Sequence, residues 1–216
     1  MENASARKQR AMRITTLLEE AYPESAGLCS LHAQNDFELL VAARLSAQCT
    51  DARVNLVTPA LFARYPNPQA FAEADVTEVE QLVRTCGFHH TKAKDLVAMS
   101  QQLCARHTGT IPESMEALTA LQGVGRKIAN LIRGDVFGLP AVVADTHVIR
   151  ITNLLGLAES RTPANVEAQL RKLLNPATSN DFCHRCVLHG RAVCVARRPQ
   201  CAACVLCNEC MFASPR

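Results

Sequence analysis

Four cysteines close to the C-terminus, Cys194, Cys201, Cys204 and Cys210, stand in the pattern C-x6-C-x2-C-x5-C. Thiolates gathered this densely are metal ligands by type, and four of them can close around one centre. A fifth, Cys207, completes three consecutive C-x2-C steps from Cys201 to Cys210, and thiolate pairs of that kind also suit tetrahedral zinc. Cys183 and Cys186 make one more such pair. A different chemistry is written in Leu121-Gln-Gly-Val-Gly-Arg-Lys127. Gly123 and Gly125 permit positive φ and close approach by a ligand, so the N–H groups opening the next helix, with Arg126 beside them, can hold a phosphate without reading a base. Lys127 falls in the first helical turn, where the macrodipole disfavours a cation, and a lysine that attacks carbon must be neutral. In Ala144-Asp-Thr-His147, Asp145 suits two tasks. It can cap the helix it opens and, kept ionised by the N–H groups it accepts from, stabilise positive charge on an electron-poor carbon. His147 reads as a structural hydrogen-bonding group.

These groups need rigid elements to aim them. Residues 112–121 read as one short helix and Arg126 to Val136 as another, with the glycine turn between: a helix-hairpin-helix. Elsewhere apolar residues recur at helical spacing, as in Ile14, Leu17, Leu18 and Ala21, in Val79, Leu82 and Val83, and in Ile128, Leu131, Ile132 and Val136, while strand patterns are scarce. Asp75-Val-Thr-Glu78 has the form of a capping box, and Thr162-Pro163 supplies an N-cap followed by proline at the first helical position. Pro59 is expected to break or kink the helix running from Asp51 to Tyr65. About ten helices follow, and the class is all-α.

The bulk numbers bound the rest. With 216 residues and 48% hydrophobic content the chain can build a real core. Its net charge is only +3, with the basic excess in residues 141–216. Eleven cysteines, an odd number, together with a basic N-terminus that lacks an apolar run, point to a reducing compartment, the cytoplasm, where metal binding is a better use of thiols than disulfides. The longest uncharged apolar run, Val136 to Ala144, contains Gly138 and Pro140 and is too short to span a bilayer. Trp is absent and aromatics total 4%, which leaves little material for a single-strand stacking platform.

The hairpin, the Asp145 segment and the cysteine intervals together resemble the endonuclease III family, iron–sulfur DNA glycosylases with AP-lyase activity, over nearly the whole chain. The resemblance implies a two-domain helix-hairpin-helix DNA glycosylase fold. A six-helix domain would cover residues 29–139, and an iron–sulfur cluster domain would combine residues 1–28 with 140–216. It implies a [4Fe–4S] cluster on Cys194, Cys201, Cys204 and Cys210, with Arg191, Arg197 and Arg198 placed to meet phosphates. Lys127 would attack C1′ of a damaged nucleotide, with Asp145 as the essential carboxylate. The partner would be double-stranded DNA containing oxidised pyrimidines or abasic sites, met by a monomer in base excision repair.

Extruding a base costs a few kcal/mol and leaves a gap in the stack. Leu45-Ser-Ala-Gln-Cys-Thr-Asp51 resembles the family segment whose glutamine fills it, here Gln48, and Cys86-Gly-Phe-His-His-Thr-Lys-Ala93 resembles the loop carrying an apolar wedge, here Phe88. The chain departs from the family pattern at Gln122, where proline is usual, at Ile128, where threonine is, at Ala144, where valine is common, and at His89 and His90. These changes leave the reactive groups intact and bear on substrate preference and rate. Two other readings are a monofunctional mismatch glycosylase, which Lys127 and the short chain argue against, and a noncatalytic damage-binding paralogue, which retention of both Lys127 and Asp145 argues against.

Overall fold

A computed structural model describes residues 2–23 and 29–213. Among them there is no strand, and no helix is long and apolar enough to cross a membrane. The chain divides into two compact units, Cys29–Phe137, and Met1–Leu28 together with Gly138–Arg216. The first join, at residues 24–28, lies outside the described residues.

The unit formed by Cys29–Phe137 holds α2 (Asp36–Leu45), α3 (Asp51–Arg64), α4 (Pro68–Ala72), α5 (Val76–Leu82), α6 (His89–His107), α7 (Met115–Thr119) and α8 (Arg126–Asp135). Side-chain oxygens of Asn35, Thr50, Asn67 and Ser114 cap four of these by accepting N–H groups three residues on, which satisfies donors a helix start otherwise leaves open. The long helix α6 is the spine. Its Ala93, Leu96, Met99 and Leu103 are fully buried, and α2, α4 and α5 pack around it. In turn α8 packs on α2 and α7, so the hairpin is held from below.

The other unit holds α1 (Ala4–Ala21), α9 (Thr146–Leu154), α10 (Pro163–Leu173) and α11 (Ser179–Ala192). Here α11 packs on α9 and α1. Gly190 permits the approach to α9, because a Cβ there would lie 2.6 Å from His147 Nδ1. From α1, Ala11, Ile14 and Leu18 enter the core at zero exposure, while Ala21 stays outside.

Two sequence expectations are corrected, and a third is met in part. α3 runs through Pro59 without ending, because Pro59 sits on its exposed face, where the carbonyl that loses its N–H partner can be hydrated. Asp75 caps α5 through Thr77 N–H, but Glu78 does not close the box: it accepts from Arg64 and Tyr65 instead. Thr162 is the N-cap of α10 and Pro163 its first residue, as expected, but the Thr162 side chain makes no capping bond, its hydroxyl being paired with Ser160.

Arg10 joins α1 to the cysteine-rich end. Only 7% exposed, it donates to Glu2, to the Leu155 carbonyl at 2.5 Å and to the Glu209 carbonyl at 3.0 Å. Arg10→Met leaves two carbonyls and a carboxylate without that donor and should lower unfolding free energy by about 3 kcal/mol, measured by denaturant titration. The hydrogen bond from Arg10 holds the Glu2 carboxyl below its ordinary range. A depressed carboxylate stabilises the fold above its unfolded pKa and loses that contribution as pH falls through its folded value. The stability gap between wild type and variant should therefore narrow on acidification below about pH 4.

Candidate active site and metal centre

The hairpin is built on a buried carboxylate. Asp95, on α6, is 5% exposed and accepts from Arg44 through both guanidinium contacts and from Gln122 Nε2 at 2.8 Å. Gly123 sits against this pair with φ +75°, and a Cβ there would meet Arg44 Nε at 2.5 Å and Asp95 Oδ2 at 2.8 Å. Only glycine fits, on both conformational and steric grounds. Gln122 also donates its backbone N–H to Gln102 Oε1 at 2.7 Å. A proline at 122 could make neither bond, so the departure from the family pattern has a local use.

Gly125 behaves differently. Its φ is −88°, open to any residue, and nothing lies within 4 Å of a Cβ built on it. It is the N-cap of α8 and leaves free space beside the helix's first N–H groups, where Arg126 and Lys127 are both exposed. Helix α7 is shorter than the sequence reading, starting at Met115 after its Ser114 cap and ending at Thr119.

Gln48 and Phe88 share an unusual property. Both adopt left-handed backbone, φ 53° and 58°, uncommon for non-glycine residues, and both side chains are exposed, Phe88 at 64%. Their loops touch, since a Cβ on Gly87 would lie 3.4 Å from the Gln48 carbonyl. Phe88 is therefore no core residue. Strained backbone carrying exposed side chains is the kind of outlier from which function is inferred.

Asp145 belongs to the other unit, where it caps α9 by accepting Val148 N–H at 2.8 Å and remains half-buried. His147 Nδ1 lies 3.4 Å from Arg150, whose guanidinium also donates to the Cys194 carbonyl at 2.8 Å.

Cys194, Cys201, Cys204 and Cys210 line one small, partly open cavity of about 30 Å³ together with Leu154, Pro199 and Phe212; Cys207 is not among its lining residues. Among the described residues no three of these sulfurs lie within 4.8 Å of one another. A zinc tetrahedron with bonds of about 2.3 Å would draw its sulfurs to roughly 3.8 Å apart. No three of the thiols are therefore placed for a single tetrahedral ion. Burial pushes the Cys194 and Cys204 thiols above their ordinary range, a cost that a metal binding their thiolates must offset. Cys183 and Cys186 are fully buried on α11, with burial pushing Cys183 up to about 12 and Cys186 well above the ordinary thiol range, so they are core thiols. Arg191, Arg197 and Arg198 are exposed around this loop.

Sequence reasoning missed what supports the cavity. Buried His189 bridges Tyr22 Oη at 3.0 Å and Cys204 Sγ at 3.4 Å, and desolvation lowers its pKa. Its position at a buried point of α11 was the one available signal, and the partners are far apart in sequence.

The family model for HhH-GPD superfamily base excision DNA repair proteins matches residues 41–176. The chain is 42% identical to endonuclease III of Synechocystis sp. over 97% of its own length and 95% of that protein. It is 36% identical to endonuclease III of Escherichia coli, with 95% and 96% covered. A solved structure of a trapped endonuclease III–DNA covalent intermediate superposes with a TM-score of 0.90 at 34% identity, covering 99% of this chain and 98% of that one. A thermostable thymine-DNA glycosylase, at 18% identity and a TM-score of 0.83, shares the fold. The chain belongs to the HhH-GPD superfamily of base excision DNA repair proteins and, within it, to the endonuclease III family.

Gly123→Ala should destabilise the Cys29–Phe137 unit by about 2–4 kcal/mol, combining left-handed strain with overpacking on Arg44 and Asp95. Gly125→Ala should change stability by less than about 1 kcal/mol. Thermal denaturation of the two variants checks the contrast, and equal losses would contradict it.

Proposed function

We propose that this chain is a bifunctional DNA glycosylase/AP lyase of base excision repair, which removes oxidised pyrimidines from duplex DNA and cuts the strand 3′ to the resulting abasic site. The observation that carries this is the relationship to endonuclease III along nearly the whole chain, combined with an exposed lysine on the first turn of the hairpin's second helix. The neutral amine of Lys127 attacks C1′ of the damaged nucleotide. The C1′–N bond breaks, its electron pair leaves with the base, and the base takes up a proton. Ring opening leaves an imine between Nζ and C1′. Loss of a C2′ proton then expels the 3′ phosphate by β-elimination.

Asp145, held in place by the Val148 N–H it accepts, opposes the positive charge that builds on the sugar. Gln48 and Phe88 enter the gap left by the extruded base, a role supported by their exposure and their touching, left-handed loops. Gly123, Gly125 and Arg126 hold a phosphate at the start of α8, and Arg191, Arg197 and Arg198 add charge toward the backbone. Cys29–Phe137 is the hairpin domain and the other unit the cluster domain. The protein works as a monomer in the cytoplasm.

Cys194, Cys201, Cys204 and Cys210 hold a [4Fe–4S] cluster. Their shared cavity, wide spacing and the position of Cys207 outside that cavity support this ligand set over the run of C-x2-C steps. When bound, the cluster supplies a cross-link for the 194–210 loop and takes no part in bond breaking.

Lys127→Ala should abolish borohydride trapping on a duplex with one abasic site while still binding it; trapping at wild-type yield would make another amine the nucleophile. In the same assay on an intact oxidised base, Asp145→Asn should slow release by about 10²–10⁴-fold with little change in stability. Iron and sulfide analysis tests the ligands separately. Cys194→Ala should lose the cluster and Cys207→Ala keep it, and the reverse result would assign the metal to the C-x2-C run.

A further inference from the structure

The connection between α5 and α6 contains a second group of metal-binding side chains. Glu80, near the end of α5, and His89 and His90, at the start of α6, bring one ligand atom each within 4.8 Å of one another. Glu80 Oε1 is 2.7 Å from His90 Nδ1 and 3.8 Å from His89 Nε2. Ligand atoms bound at about 2.1 Å to one zinc-class ion lie roughly 3–3.4 Å apart, so these separations bracket the required value. The two imidazoles lie 4.2 Å apart between centroids, tilted by 32°. His90 is exposed enough to turn toward an ion, with 71% of its side chain accessible, whereas Glu80 and His89 are about a quarter exposed and more firmly held.

We infer that Glu80, His89 and His90 form a site for a divalent transition-metal ion of the zinc or nickel class, separate from the cysteine centre. Two imidazoles and a carboxylate are a borderline donor set, suited to such ions and not to Ca²⁺ or Mg²⁺, which take all-oxygen shells. With three protein ligands the remaining positions are open to water, so the ion exchanges with solvent. An ion here ties the end of α5 directly to the start of α6, and so clamps residues 83–88, the connector that holds Phe88 in its left-handed conformation. His89 and His90 are also positions at which the chain departs from the family pattern. The site is a property of this chain and does not depend on the lyase reading.

The test is calorimetric titration of the full chain with Ni²⁺, comparing wild type with His89→Ala, His90→Ala and Glu80→Gln, and with His32→Ala as a control outside the group. Wild type and the control should bind one ion that each histidine variant loses. Glu80→Gln should weaken binding by at least the roughly 10–100-fold that loss of a supporting ligand contact costs. Tryptic cleavage after the exposed Arg84 should slow several-fold with Ni²⁺ in wild type and not in His90→Ala. Equal stoichiometry and affinity in wild type and the histidine variants would overturn the site, and Ni²⁺ binding that leaves cleavage at Arg84 unchanged would overturn the clamp. These readouts leave glycosylase and lyase activity out of account, so their failure and that of the repair function are distinguishable.

Discussion

The carboxylate of Asp95 is the point on which the hairpin depends. It is buried on the spine helix, and a buried charge is tolerable only when its hydrogen-bonding capacity is met. Arg44 meets it from α2 and Gln122 from the turn itself, so three segments distant in sequence converge on one residue. The turn can come close enough only because Gly123 carries no side chain. The direction of α8, and with it the direction in which Lys127 leaves the protein, follows from this packing. Replacing the usual proline by Gln122 substitutes two hydrogen bonds for a rigid ring, which keeps the turn fixed by enthalpy where the family pattern relies on a restricted chain.

What could be read in the sequence was whatever is local. Helix starts announce themselves through capping residues, apolar periodicity gives the class, and the C-terminal cysteines announce a metal centre, although five thiols stand there for four positions and only the family resemblance chooses among them. Gly123 and Asp145 were legible because their constraints, positive φ and a helix start, are set by immediate neighbours. The misses are of another kind. Whether Glu78 closes a capping box depends on Arg64 and Tyr65, which arrive from a different helix and offer it two better donors. Pro59 survives inside α3 because its face of the helix is exposed, a fact the sequence pattern of one helix does not fix. The Asp95 and His189 networks join residues from 15 to 167 positions apart, and no spacing rule encodes such a pairing.

The two groups of side chains proposed to hold metal differ as their donors do. Four sulfurs line one partly open cavity, and no three of them lie close enough together for one tetrahedral ion. Nitrogen and oxygen atoms closing on each other at the α5–α6 connection leave room for one ion only. The first is half-buried and fixed by Arg10, Arg150 and His189 from the surrounding helices. The second is near the surface and held by its own short connection. The contrast follows from where each lies: one closes a long irregular loop, the other joins two helices that already pack together.

The division of the chain has a consequence for biosynthesis. Residues 29–137 form a contiguous unit that can collapse as it leaves the ribosome, but α1 belongs with helices that are made last. At roughly 5–20 residues per second, the apolar face of Ala11, Ile14 and Leu18 waits on the order of ten to thirty seconds for α11. Nascent chains are exposed to aggregation and to chaperones during that interval. The many charged residues around α1, Arg7, Lys8, Arg13, Glu19 and Glu20, therefore keep an early amphipathic helix soluble until its partners have been translated.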